Sequence, residues 1–349
     1  MTDFRIGIDA ATIERTVRDS LRGLDRTLEG LRDLHGFDCG ESDVEIDETI
    51  EVGAGAELVI TTMGGDVRVR GADGNRIRVK AEGESRLPET PRVEREGNRV
   101  IFNAPAGSEI DVEATVPRDC SVTVNTHEGD VDIDNAGAVE VKTINGDVTA
   151  LGISGSCTVT TGQADATIER LSGALTFHTV NGDLDVSDSY LRSADLHSVD
   201  GDLTVDASLG HGPFRLQTVN GDVELALPAR DGAEIHFHTA NGDISCDLPA
   251  QVSTASSREW HAQINGGGPR VDIETVNGDL EIEEGHSMPA GDAARPAAPP
   301  PPPPAYTEPV APEDTPSTFQ SEDTTDVLRA LERGEISVDE AMERLSSGE

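Results

Sequence analysis

Histidine and aspartate recur in this 349-residue chain at places that could do chemistry. His178, His197 and His238 each stand directly before the Thr or Ser that opens a repeated phrase. If copies of that phrase lie one above another, the residues in that place form an outward column: Lys142, Thr160, His178, His197, Gln217 and His238. His178 and His197 would then stand about 4.8 Å apart, the distance between neighbouring strands. His236 would share the strand face of His238, because alternate residues of a strand point the same way. Imidazoles so placed suit a transition metal or a pH-sensitive patch. The plainer expectation is a solvated polar column with no metal and no cofactor.

The aspartates invite two further readings. Calcium β-rolls use Gly-Gly-x-Gly-x-Asp once per nonapeptide, whereas each copy here offers one Asp at about twice that period. Asp130-Val131-Asp132-Ile133-Asp134 alternates, but it lacks the glycine and the terminal glutamate of an EF-hand loop. Diffuse cation attraction is expected instead. Some β-helices cleave polysaccharides with clustered carboxylates, yet an Asp in every copy singles none of them out. The chain has no nucleophile elbow, phosphate loop or His-Glu-x-x-His. No catalytic residue is expected.

What must position these side chains is the phrase itself, Thr-Val-Asn-Gly-Asp-Leu. Clear copies contain Asn181-Gly182-Asp183, Asn220-Gly221-Asp222, Asn241-Gly242-Asp243 and Asn277-Gly278-Asp279, and a close relative contains Asn145-Gly146-Asp147. Looser copies end in Asp66, Asp130, Asp165 and Asp202. From Asp130 to Asp243 the steps are 17, 18, 18, 19, 20 and 21 residues, and the last step, to Asp279, is 36. That long step reads as two periods with a decayed copy near Ile264-Asn265-Gly266.

Each copy is preceded by apolar-polar alternation, as in Val139/Val141/Thr143 and Phe214/Leu216/Thr218, and followed by more, as in Leu184/Val186. Alternation at period two predicts strands with one buried face. Asn-Gly tolerates positive φ and commonly marks a hairpin. Repeated hairpins are the competing reading. Stacked coils better explain identical flanks once per period, with Asn on Asn and Thr on Thr in hydrogen-bonded ladders. The expected fold is therefore all-β: a β-solenoid whose corners are the Asn-Gly-Asp phrases, with each Asp accepting nearby backbone N–H groups.

A net charge of −40 and a pI near 4.3 argue against nucleic-acid binding, which needs a basic footprint. Lys80 and Lys142 are the sole lysines. Such acidity resembles proteins of salt-accumulating, halophilic organisms; the alternative is high-GC codon bias with acidic drift. Four scattered cysteines, Cys39, Cys120, Cys157 and Cys246, form no Cys-x-x-Cys and predict neither a disulfide framework nor structural zinc. Cys120 and Cys157 fall on apolar strand positions, as buried thiols do. No stretch approaches a membrane span or a Sec signal, so a cytoplasmic location is expected.

Along the chain, residues 11–34 read as an amphipathic helix. Val17, Leu21, Leu24, Leu28 and Leu31 step by 4, 3, 4 and 3, which is a heptad seam. It either caps the end of the stack or self-associates as a short coiled coil. Strands at about 44–52, 57–70, 76–83, 92–104 and 108–116 form a less regular antiparallel lead-in. The excursion over 249–268 carries the sole tryptophan, Trp260, either a partner anchor or a side chain folded onto the next coil. Residues 284–323 form a linker rich in Pro, Ala and acid, too poor in apolar residues to bury a core. Within 324–349 a short helical pair is expected, with Leu328, Leu331 and Leu345 on its apolar side as candidate partner contacts and Ser337 and Glu340 as a capping box.

Copies such as Thr179 to Val186, together with the antiparallel lead-in, resemble a bacterial and archaeal β-strand-repeat family catalogued as "putative adhesin", a domain of unknown function. The resemblance covers about residues 44–283. The tail, with Leu331-Glu332-Arg333-Gly334-Glu335-Ile336 at its centre, is similar to the helical-pair module of relatives that act in cell-envelope stress responses. That resemblance implies no catalytic residues, and its label implies export. The organisation expected is an arm and helix over 1–43, a repeat domain over 44–283, the linker and the tail module. The expected function is a non-enzymatic binding or scaffold protein with an unidentified protein partner. A surface adhesin exported by a non-standard route and a polysaccharide-acting β-helix enzyme are the alternatives.

Overall fold

The computed structural model describes residues 11–19, 21, 42–85, 91–105, 107–256 and 258–286. Leu24, Leu28, Leu31, Cys39, Leu328, Leu331 and Leu345 lie outside the described residues, as do most of the linker and the whole tail module. One helical segment, α1, occupies 11–19. The strands are β1 (Ser42–Glu51), β2 (Glu57–Thr61), β3 (Val67–Ala72), β4 (Arg76–Ser85), β5 (Arg92–Glu96), β6 (Arg99–Asn103), β7 (Ser108–Pro117), β8 (Ser121–Asn125), β9 (Val131–Asp134), β10 (Val139–Asn145), β11 (Val148–Leu151) and β12 (Cys157–Gln163). They continue as β13 (Ala166–Glu169), β14 (Ser172–His178), β15 (Leu184–His197), β16 (Leu203–Leu209), β17 (Phe214–Gln217), β18 (Val223–Pro228), β19 (Ala233–His238), β20 (Ile244–Cys246), β21 (Ala250–Ala255), β22 (Glu259–Ile264), β23 (Arg270–Glu274) and β24 (Leu280–Gly285). The fold is all-β, and these strands join in one hydrogen-bonded sheet.

The two strands flanking each phrase go to two ladders. The strands before it run β6–β2–β8–β10–β12–β14–β15–β17–β23–β19, all parallel neighbours. Those after it run β7–β3–β9–β11–β13–β15–β16–β18–β24–β20, again parallel. Register keeps like on like. Ile60, Phe102, Val124, Val141, Val159, Phe177, Leu196, Leu216, Ile273 and Phe237 form one inward row, all buried. Each such side chain contributes about 1.5–3 kcal/mol of hydrophobic burial. Alternation in the sequence is thus alternation between this core and solvent.

The order of the last copies differs from the order expected. Bridges run Asn181–Asp200–Asn220–Asn277–Asn241, so the final strand pair β23/β24 slots between the β17/β18 pair and the β19/β20 pair. No coil forms at Ile264-Asn265-Gly266. There β22 instead turns back antiparallel to β19, and β21 pairs antiparallel with β22. The 36-residue step is therefore a hairpin plus a return, not two periods. At the other end β2 and β3 are tucked in the same way inside β6 and β7. The lead-in is antiparallel at β1–β4, β4–β7 and β5–β6 but parallel where β2 and β3 enter the stack. Antiparallel strands close the first ladder at both ends, β5 on β6 and β22 on β19, and the second at one end, β4 on β7, while its other end is β20, paired in parallel with β24. The edge strand β1 is strongly acidic, which discourages pairing with other chains.

Helix α1 does not cap an end. Ile13, Val17 and Leu21 recur every four residues, the stride of one helix face, and they bury against Val199 with Ile144, Val180 and Val219 around it. Those are the residues just after Thr143, Thr179, Ser198 and Thr218; the intervening copy has Gly162 in that place, after Thr161. The helix lies on the flank of the stack, along the bends. Trp260 is likewise not an exposed anchor: it is buried at 8% exposure and stands opposite Phe237 in the β19–β22 register. Cys120 and Cys157 are buried as expected, and loss of hydration pushes both thiols up to about 12.

Candidate functional site

The phrase residues divide the work of the bend. Thr is buried, and its hydroxyl bonds backbone and not the stacked Thr expected: Thr143 donates to the Asn145 carbonyl at 2.9 Å and Thr179 to that of Asn181 at 3.1 Å, while Thr218 and Thr275 donate to the Gly201 and Gly221 carbonyls of the neighbouring copy at 3.1 and 3.4 Å. Asn side chains join in a ladder: Asn241 donates to Asn277 at 2.9 Å and Asn277 to Asn220 at 2.8 Å. Asn220 in turn donates to Asp200 at 2.6 Å. Gly is required by closeness more than by turn conformation. A Cβ on Gly221 would collide with the carbonyl of Gly201, and one on Gly278 with that of Gly221. Gly146 and Gly182 also adopt positive φ, 115° and 147°.

Asp closes each rung. The Asp147 amide donates to the Asp130 carboxylate at 3.0 Å, and Asp183 to Asp165 at 2.9 Å. Asp202 donates to Asp183 at 2.8 Å, Asp279 to Asp222 at 2.7 Å and Asp243 to Asp279 at 2.7 Å. The repeat aspartates are structural acceptors, which leaves chemistry to the other flank.

That flank is the solvent face of β14, β15, β17, β23, β19 and β22. His178 and His197 are register partners and their ring centroids lie 4.9 Å apart, close to the spacing expected. Asp195, two residues before His197, faces the same way; His197 Nε2 lies 3.0 Å from its Oδ1 and His178 Nε2 3.9 Å from its Oδ2. The His178 and His197 imidazoles hold the Asp195 carboxyl well below the usual carboxylate range. His178 Nε2 is buried and has no hydrogen-bond partner. Because β23 intervenes, the column continues Gln217, Glu274, His238, and His238 is not the next rung after Gln217. Gln217 donates to Glu274 at 2.8 Å.

A second group forms where the hairpin covers β19. His238 pairs with Glu259 and His236 with His261 in the antiparallel register. His261 Nε2 is 3.2 Å from Glu259, and the His261 ring lies 4.2 Å from that of His236 and 5.6 Å from that of His238. Burial, and then His236 beside it, lowers the basicity of His261. Sequence reasoning reached His178, His197, His236 and His238. It missed Asp195, although the period-two rule already places it on the His197 face. It also missed Glu259 and His261, whose signal was hidden by reading the excursion as a decayed coil.

The model of the Toastrack DUF4097 family matches residues 55–283, well over half the chain. The chain belongs to that family. A Toastrack domain is a domain of unknown function, so membership brings no catalytic residues with it. Among solved structures, a "putative adhesin" from Bacteroides fragilis is similar at 13% identity and a TM-score of 0.43, over 71% of this chain and 100% of that one. A "putative cell adhesion protein" from Clostridium sporogenes is similar at 12% identity and a TM-score of 0.24, over 69% and 99%. A "putative lipid binding protein" from Parabacteroides distasonis has 8% identity and a TM-score of 0.27, over 69% and 96%. No curated protein matches this Toastrack chain. Among the described residues, no helix is long and apolar enough to cross a membrane.

Proposed function

We propose that this Toastrack domain is a non-enzymatic binding scaffold. In this reading its repeats wind as a β-solenoid with Asn-Gly-Asp corners, residues 284–323 are a spacer, and 324–349 is a tethered helical module. The observation that carries it is α1 on the flank. Ile144, Val180, Val199 and Val219 accept an amphipathic helix along the row of bends, so the stack is a surface on which helices can be held. Tethering raises the local concentration of the tail module near whatever the scaffold engages. A cytoplasmic setting and a part in envelope-stress signalling are the finer form of the same proposal.

The test is affinity capture with the full chain and with a chain lacking 326–349, each at low and at molar salt. One partner retained at both salts and weakened by the truncation is the expected result. Capture only at low salt would mean diffuse attraction to an acidic surface and would end the reading. Protease added to intact cells should leave the domain uncut; cleavage from outside would favour an exported adhesin. Turnover on a glycan panel, lost on changing one carboxylate, would move the protein to the enzymes.

A further inference from the structure

The geometry points to two transition-metal sites on the same sheet face, one formed by His178, Asp195 and His197 and the other by His238, Glu259 and His261. This goes beyond the scaffold reading and does not depend on it. In both groups an acid and a His stand two apart on one strand, so their side chains project together. In both, a His from the neighbouring strand completes the set. The same arrangement thus arises once in the regular parallel stack and once in the antiparallel hairpin that covers it. A shared ancestral repeat cannot account for both, because β22 runs in the opposite direction.

In each group the candidate ligand atoms all lie within 4.8 Å of one another. Bonds of about 2.0–2.1 Å to nitrogen or oxygen put neighbouring ligands of a tetrahedral ion about 3.3 Å apart. Small side-chain rotations close that difference; the His197–Asp195 pair, at 3.0 Å, is already near it. Two imidazoles and one carboxylate select a borderline cation such as Zn²⁺ over hard Ca²⁺ or Mg²⁺, which take oxygen ligands. Three protein ligands leave the fourth position open to water or a partner's side chain. An ion would also satisfy His178 Nε2, which is buried and has no hydrogen bond, with Asp195 Oδ2 standing 3.9 Å away. The formal charge of −40 draws cations towards the whole surface. The nearest ligands of the two sites, His197 and His238, are three rungs apart, about 14 Å.

The experiment is equilibrium dialysis of the full chain against Zn²⁺, in molar salt with excess Mg²⁺ so that diffuse attraction is suppressed. H197Q and H238Q are the informative variants, because Gln217 already occupies the same column and the stack tolerates that side chain there. The expected stoichiometry is two ions for the parent, one for each single variant and none for the double variant. Circular dichroism of the metal-free variants checks that they fold, and D195N with E259Q repeats the test through the carboxylates. Co²⁺ should give the visible absorption of a low-coordinate site in the parent only. No bound ion in the parent, a single ion in the parent, or a stoichiometry unchanged in the double variant would each overturn the assignment.

Discussion

The amide of Asp222 donates to the carboxylate of Asp202 at 2.7 Å, linking residues twenty positions apart in the chain. The same bond joins successive copies along the flank, so each repeat aspartate receives one rung and supplies the next. These carboxylates act as backbone acceptors, and they stack like charges about 4.8 Å apart.

Changing Asp202 to Asn keeps an oxygen that accepts the Asp222 amide and removes one of the stacked charges. D202N should match or exceed the parent in urea unfolding at low salt, and its advantage should shrink as salt screens the column. D202A removes the acceptor and should lose about 1 kcal/mol. An equal loss in both variants would show that charge, not acceptance, matters at this position.

Gly221 is the clean test of why glycine recurs. It has no positive φ, so turn conformation does not demand it, yet a Cβ there runs into the Gly201 carbonyl. G221A should cost about 2–4 kcal/mol, as overpacking against backbone does. Gly74, where a Cβ meets nothing within 4 Å, serves as the control. Its φ of 141° still makes G74A strained, but by less, about 1 kcal/mol.

Helix α1 should release without unfolding the stack, because its buried row is separate from the main core. V17D places a charge at a position now 1% exposed. Proteolysis should then remove the N-terminal arm rapidly while the thermal midpoint of the β domain moves little. A large fall in that midpoint would mean that the flank helix is part of the core's stability.

His286 gives the pH prediction. Its Nδ1 lies 2.7 Å from Asp206 Oδ2, and that hydrogen bond raises its pKa above the ordinary value. A raised folded pKa stabilises the clip fully below the unfolded value of about 6.5 and loses it as pH rises through the folded value. NMR titration should find His286 protonated to higher pH than a free imidazole, and D206N should return it to normal. Hydrogen exchange at the end of β24 should quicken over the same window.

Much of this was legible in the residues. Alternation before and after each phrase located the strands, and the regular steps from Asp130 to Asp222 located the stacking partners, whereas the Asp243 copy stacks on the Asp279 copy. The His178–His197 distance followed from those two facts. The order of the last copies did not follow. Asn277 and Asn241 carry the same phrase, and local sequence cannot say which of two equivalent edges a strand will choose. The choice is made by the hairpin at β21–β22, which occupies the outer edge of β19 and leaves the inner one for β23. The docking of α1 was hidden for a related reason. Val180 and Val199 read as parts of a turn, where an apolar residue has no periodic partner along its own chain. Their partners are each other on neighbouring copies, and only strand pairing turns them into a strip.

The tucked strand pairs bear on how such a domain could lengthen over evolution. Duplicating a copy next to β2/β3 or β23/β24 would break a closure in which chain order and spatial order disagree. Duplicating one between about residues 131 and 210, where the two orders agree, would insert a rung and leave both terminations untouched. Growth in this architecture is therefore confined to the middle, and an inserted repeat there should add one strand to each ladder of the folded domain.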